Sequence, residues 1–571
     1  MQKSFNKVLF LAIASLTACS HNSTESKVKV TTESSETIKV TNAEKAIADY
    51  VIIEESKIKP STKNVMPRLA YEQQAIRGGL VSLSKPYPNP ITSISNTENY
   101  THFEDNPIRI ANIDPVSTFS IDVDTGAYSN MRRMLNQGVI PPKDSIRIEE
   151  LINYFNYDYA VANNSHQPFS INTELAPSPW NENSQILHIG IQGYEVDTNL
   201  RPASNLTFLI DVSGSMNSAN KLGLLKSSFK LLTKNLRKQD RVAIVVYAGA
   251  AGTVLDSTSG KNKSKILQAL DKLTSGGSTN GAAGINLAYQ IAEDNFIKEG
   301  INRVIIATDG DFNVGTTNFE QLKELAERKR KTGISLTTLG FGSGNYNDAL
   351  MEQLADSGNG NYAYIDTLKE ANKVLIEEMS STLMTIAKDV KIQIEFNPLI
   401  VSQYRLIGYE NRILNNEDFN NDKIDAGEIG AGHSVTALYE LVLNGNKGWI
   451  EPLKYQSKQD TEDYSNEIAT LKVRYKQPKS DTSQLIVKTL NRKDSVDSIN
   501  QSSNNFKLSA AIAGFGQILR GGKLTNNFSY EDVQTLINQT ISQDKHGYRG
   551  EFLQLVSLAK NLTTQQAYHV E

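Results

Sequence analysis

Between residues 203 and 387 the chain alternates two hydrophobic periods. The continuous apolar runs LTFLID, RVAIVVYAG, RVIIATD and SLTTLGFG predict strands buried on both faces. Between them run stripes at helical spacing. Leu222, Leu225, Phe229, Leu232 and Leu236 follow at steps of three and four, and Ile266, Leu270 and Leu273 do the same. Strands alternating with amphipathic helices predict a doubly wound α/β sheet.

The flanks read differently. Over 101–202, STFSIDVD, FSINTELA and ILHIGIQGY predict strands, while MRRMLNQ and IRIEELINYF predict short helices, an α+β region. Over 388–495, DVKIQIEF, QYRLIGY, SVTALYELVL, ATLKVRYK and QLIVKTL predict strands with no helix between them, as in an antiparallel, sandwich-like unit. The β segments at 168–195 are expected to pair with these later strands, which makes the α/β domain an insertion in a β unit. Residues 496–571 predict helices, from LSAAIAGFGQIL to EFLQLVSLAKNL.

The first 18 residues read as a targeting segment. Lys3 and Lys7 precede an apolar run, Val8 to Leu16, which is too short to span a bilayer. Leu16-Thr17-Ala18-Cys19 then resembles the lipobox of bacterial lipoproteins, and Cys19 is the only cysteine in 571 residues. The resemblance implies cleavage before Cys19 and acylation of its thiol, palmitate included. Each buried methylene contributes about 0.8 kcal/mol, so two or three acyl chains hold a protein at a membrane. Ser20, rather than an aspartate, follows the cysteine. In a Gram-negative cell that pattern favours the outer membrane, so the expectation is a lipid-anchored protein of the cell envelope. Residues 19–100 are expected to carry the lipid and then read as a solvated tether, rich in Ser, Thr, Lys, Glu and Asn. A lone cysteine excludes intrachain disulfides and cysteine-ligated zinc. The net charge of −4 gives no footprint for nucleic acid.

The candidate chemistry gathers at the carboxyl ends of the α/β strands, where open parallel sheets bind ligands. Three turns there carry oxygen donors. DVSGSM holds Asp211, Ser213 and Ser215; GGSTNG holds Thr279; ATDGDF holds Asp309. Two carboxylates and three hydroxyls are hard donors, suited to Mg²⁺, Mn²⁺ or Ca²⁺. Gly214 is expected to let the first turn aim both serines at one point. Asp and Ser at a strand–helix junction also serve as plain helix caps. A nucleophile elbow is disfavoured, because Asp211 stands where such a turn needs glycine.

This set resembles the metal-ion-dependent adhesion site of von Willebrand factor A domains, which have a Rossmann-like fold. The resemblance implies that Ser213, Ser215 and Thr279 bind the ion directly and that Asp211 and Asp309 act largely through water. One position is then left for an acidic side chain of a protein partner. No enzymatic turnover is expected. The alternatives are an envelope scaffold or stress-response component with a structural metal and, less favoured, a hydrolase.

Two other acidic stretches draw attention. Asp122 and Asp124 in SIDVDTGAY echo the first turn; capping of the following helix is the expected role, and an auxiliary cation site the alternative. Asp124-Thr125-Gly126 also looks like an aspartic-protease motif, for which Asp356-Ser357-Gly358 is the only possible second copy. EDFNNDKIDAGEIGAG, at 417–432, looks like a calcium loop. Counted from Asp418, however, position 6 is Lys423 and position 12 is Ile429, where that loop needs Gly and Glu. An exposed hairpin or loop is expected. From about residue 100 to 565 the chain resembles one family of bacterial A-domain lipoproteins, through PVSTFSIDVDTGAYSNMRRML, DAGEIGAGHSVTALYEL and HGYRGEFLQLVSLA.

Overall fold

In chain order, the N-terminal region contains β1 (Arg109–Ile110), β2 (Val116–Ser120), α1 (Gly126–Asn136), α2 (Ile148–Asn153), β3 (Phe169–Pro177) and β4 (Gln185–Gly193). The α/β region follows with β5 (Ser204–Asp211), α3 (Leu224–Asn235), β6 (Arg241–Tyr247), β7 (Ala251–Ser259), α4 (Lys263–Asp271), α5 (Gly281–Asp294), β8 (Ile301–Thr308), α6 (Phe319–Lys331), β9 (Ile334–Phe341), α7 (Asp348–Ser357), β10 (Tyr362–Ile365), α8 (Leu368–Asn372) and α9 (Met379–Leu383). Next come β11 (Thr385–Phe396), β12 (Val401–Ile407), β13 (Gly427–Gly430), β14 (Ser434–Leu443), β15 (Glu467–Lys476) and β16 (Ser483–Asn491). Last are α10 (Asn504–Leu519), α11 (Tyr530–Asn538) and α12 (Tyr548–Val570). The computed structural model describes residues 97–121, 124–162, 167–197, 200–310, 319–451, 464 and 466–570. The leader, Cys19, the tether to residue 96 and Asp122 lie outside them.

The α/β region holds a six-stranded sheet in the order β10-β9-β8-β5-β6-β7. Its strands are parallel except β7, which turns back antiparallel on β6. Every residue of β5 is buried. On one face Phe208 stacks on Phe229 of α3 at 4.3 Å between ring centres. On the other, Leu209 meets Ile285, Ala288 and Tyr289 of α5. The predicted stripe from Leu222 is interrupted at its start. Residues Ala219–Gly223 form a wide π turn in which Lys221 is non-helical (φ −114°, ψ −105°), and regular helix begins at Leu224.

The β segments on either side of this domain form one sandwich. One sheet runs β1-β12-β14-β4-β3; the other runs β13-β11-β15-β16, with β2 on β11. The expected pairing of the 168–195 segments with later strands is present, Ile191 of β4 lying opposite Val435 of β14; β2 joins as well, with Phe119 opposite Ile392 of β11. The sheets share a core that includes Phe119, Ile189, Ile394, Phe396, Tyr439 and Val473. The first sheet is buried on its other face too. There Ile186, Ile407 and Leu438 join a third layer of α1, α2 and α10–α12. This explains why β14 and α10 read as nearly unbroken apolar runs. Among the described residues no helix is long and apolar enough to cross a membrane.

Candidate metal centre

The three predicted turns meet at the carboxyl end of the central strands. Asp211 ends β5 and is fully buried. Its Oδ1 accepts the Ser213 backbone N–H at 2.8 Å, which folds the turn back on itself. Its Oδ2 accepts the Thr308 hydroxyl at 2.8 Å and the Tyr247 hydroxyl at 3.1 Å. Thr308 and Tyr247 end the strands on either side of β5, so one carboxylate ties three strand ends together. Burial pushes the Asp211 carboxyl up; the bonds from Ser213 and Thr308 oppose that, and the charge of Asp309 adds to it. Burial also pushes the Tyr247 phenol well up, with the Asp211 charge contributing, so it stays a neutral donor.

Ser213 and Ser215 converge, with their hydroxyl oxygens 3.0 Å apart. Ser213 is buried and Ser215 exposed, so the pair looks out to solvent. The glycine that the turn requires is not Gly214: a Cβ there would make only ordinary contact, 3.6 Å from the Gly277 carbonyl oxygen. The constraint falls on Gly277 (φ +87°) and Gly310 (φ +86°) in the neighbouring turns, where a Cβ on Gly310 would lie 2.4 Å from the Asn347 nitrogen. The second turn is fastened to the first by backbone bonds, Gly276 N–H to Val212 O at 2.7 Å and Gly214 N–H to Gly277 O at 3.1 Å. Thr279 follows, half-buried, just before Asn280 caps α5.

Asp309, directly after β8, is fully buried. Its Oδ2 accepts the Lys221 ammonium at 2.8 Å and the Asn345 amide at 3.3 Å. Sequence reading missed Lys221, Tyr247, Thr308 and Asn345. The only signal for the middle two was their place as the last polar residue of an apolar strand. The donors present fit a hard cation: buried carboxylates behind, hydroxyls in front, and Ser215 open to solvent. Among the described residues no cluster of three or more His, Cys, Asp or Glu could hold a metal. Among the described residues, the further donors at this point are the hydroxyl groups of Ser213, Ser215 and Thr279.

The other acidic stretches have different roles. Asp124 does not cap α1. Thr125 stands at the cap position without a side-chain bond, and Glu150 Oε2 accepts the Ala127 N–H at 2.7 Å instead. Asp124 Oδ1 accepts the Tyr362 N–H of β10 at 2.8 Å. The two Asp-(Thr/Ser)-Gly segments do come together, but across a guanidinium. Arg412 reaches Asp124 at 3.5 Å and Asp356 at 2.6 Å, whereas a proton-sharing dyad needs the two acids in direct contact. In the loop over 417–432, backbone carbonyls accept from lysines. The Lys391 ammonium donates to the carbonyls of Asp418 (3.0 Å) and Asn421 (2.6 Å), and Lys476 to that of Asp422 (2.6 Å). The loop is less exposed than expected, since Phe419 and Ile429 are buried in it.

A doubly wound domain with this turn constellation is a von Willebrand factor type A domain, and the family model of that description matches residues 205–378. The model for von Willebrand factor matches 94–188, and that for "Uncharacterized protein YfbK, C-terminal" matches 381–562. The chain is 46% identical over 505 residues to the Escherichia coli (strain K12) protein described as "Uncharacterized protein YfbK", covering 86% of this chain and 87% of that one. It belongs to that family. It is also 26% identical over 256 residues to inter-alpha-trypsin inhibitor heavy chain H3 of Pongo abelii, over 42% of this chain and 29% of that longer protein. Among solved structures, the "von Willebrand factor type A from Catenulispora acidiphila" covers 68% of this chain and 89% of its own, at 14% identity and a TM-score of 0.38. Membership in the A-domain family places the protein among interaction and adhesion modules.

Proposed function

We propose that the protein captures an acidic protein ligand at a divalent-cation site on its A domain while a lipid on Cys19 holds it in the cell envelope. The observation that carries this reading is the convergence of Ser213 and Ser215 in front of the buried Asp211, with Thr279 and Asp309 on adjoining turns. Ser213, Ser215 and Thr279 would hold Mg²⁺, or Mn²⁺ or Ca²⁺, through hydroxyl oxygens, with Asp211 and Asp309 behind them. When bound, the ion supplies a Lewis-acidic position that a partner's carboxylate can occupy. The protein's own part is orientation. Thr308 and Tyr247 fix the Asp211 oxygens, and the backbone bonds from Gly276 and Gly214 hold the second turn against the first. The proposal includes no turnover.

Titration calorimetry with Mg²⁺ and Mn²⁺ tests the site. Wild type is expected to bind and Asp211→Ala to give no heat; equal heats from both would sink the reading. A second reading, an envelope scaffold with a structural metal, draws on the way the A domain is held. Arg132 of α1 and Arg147 before α2 form buried ion pairs with Asp366, Glu370 and Asp348 of the α/β region. Partner capture that is unchanged in chelator would favour it.

A further inference from the structure

Lys221 is the unexpected element of the site. Its side chain is one-tenth exposed, and its Nζ lies 2.8 Å from Asp309 Oδ2 and 3.0 Å from Asn345 Oδ1. The backbone is bent to bring it there. Lys221 is the non-helical residue inside the Ala219–Gly223 turn. Its stem lies on Gly342, where a Cβ would sit 2.4 Å from both Lys221 Cγ and Cε (Gly342 φ +80°). A lysine placed only to solvate a helix end needs neither a π turn nor a glycine bed.

We infer that Lys221 is a built-in counter-cation of the metal centre: it holds Asp309 while no ion is bound and weakens the site's grip on a divalent cation, so that the loaded site stays positive and selects an anionic ligand. The inference rests on the proposed metal centre. Asp211, Asp309 and Lys221 together carry one net negative charge. A divalent ion among them turns this into one net positive charge, which one carboxylate from a partner neutralises. Without Lys221 the loaded group would already be neutral, and the attraction for an acidic ligand would fall. The ammonium also offsets part of the cost of burying the Asp309 charge when no metal is present.

The test is Mg²⁺ calorimetry on the full chain, with thermal midpoints measured in chelator and in Mg²⁺, for wild type, Lys221→Met and Lys221→Gln. Both substitutions keep most of the stem over Gly342, and glutamine also keeps a hydrogen-bond donor. A unit charge removed a few ångströms from the ion is expected to tighten Mg²⁺ binding about tenfold or more. The variants should melt lower than wild type in chelator and gain more from Mg²⁺. A merely structural lysine would also lower the melting point in chelator but leave Mg²⁺ affinity unchanged, so variants that bind Mg²⁺ no tighter than wild type overturn the inference. A wild type that takes up no Mg²⁺ refutes the metal centre itself, which is a separate outcome.

Discussion

Arg132 of α1 grips Asp366, the residue after β10, with two parallel bonds, Nε to Oδ2 at 2.8 Å and Nη2 to Oδ1 at 2.5 Å. Both side chains are almost fully buried. Glu370 and the Tyr154 hydroxyl complete the arginine's shell, and Glu551 of α12 reaches it at 3.0 Å. One guanidinium thus joins the A domain, the N-terminal helices and the C-terminal helix. Arg132→Met is expected to cost about 3–5 kcal/mol, because it strands two buried carboxylates. Urea unfolding measures this, and a loss below about 1 kcal/mol would show that the junction is held by its apolar contacts instead.

The hydroxyl of Thr308 donates to Asp211 at 2.8 Å and accepts the Gly310 N–H at a longer 3.2 Å. Thr308→Val keeps the shape and removes the donor. A hydrogen bond to a charged group is worth about 1.5–3 kcal/mol, and that is the expected loss in thermal or chemical stability measured in chelator at neutral pH. Added Mg²⁺ should recover part of it. A variant as stable as wild type in chelator would mean that Tyr247 and the Ser213 N–H satisfy the carboxylate by themselves.

How much of this could be read in advance depended on where the partners lie. Strands β5, β6, β8 and β9 are legible because helices cover both faces and make their apolar runs continuous. β7 is not, since as the sheet's edge it buries only Leu255 and Thr258. Asp211, Ser213, Ser215, Thr279 and Asp309 stand out because each sits in a turn of recognisable composition. Thr308 and Tyr247 look like ordinary strand ends, and Lys221 like one more lysine at a helix start. Asp124 was misread for the same reason. Its partner, the Tyr362 N–H, lies 238 residues away, while a helix begins two residues later and invites a local explanation.

His188 supplies a pH dependence far from the A domain. It sits on β4 under α10, with its ring nitrogens bonded to the Tyr159 and Ser509 hydroxyls at 2.8 and 2.9 Å. Burial pushes its imidazolium down from 6.5 to about 3. The unfolded chain takes up this proton as pH falls below about 6.5, and the folded chain does not until near 3. The contribution is therefore complete above the unfolded value and lost on acidification, at up to about 1.4 kcal/mol per pH unit. His188→Gln should be less stable than wild type at pH 7.5, and the gap should narrow steadily towards pH 4.5. Melting curves that stay parallel over that range would remove His188 as the source.

Residues 97–99, where the described structure begins, are strapped to a loop of the candidate metal centre. Glu98, nearly inaccessible, accepts the Gly344 N–H at 2.8 Å through Oε1 and the Arg133 guanidinium at 2.8 Å through Oε2. Thr97 N–H donates to the Gly344 carbonyl at 2.9 Å, and Asn99 pairs with Asn347. Asn345, between these anchors, bonds both Asp309 and Lys221. Glu98→Ala removes the middle fastening and leaves Arg133 without that carboxylate. The expected result is faster hydrogen exchange at the Gly344 amide, by about tenfold for each 1.4 kcal/mol of lost protection, with little change at the buried amides of β5. If the Gly344 amide exchanges at the wild-type rate, the loop is held from within the A domain, and the strap has no hold on the site.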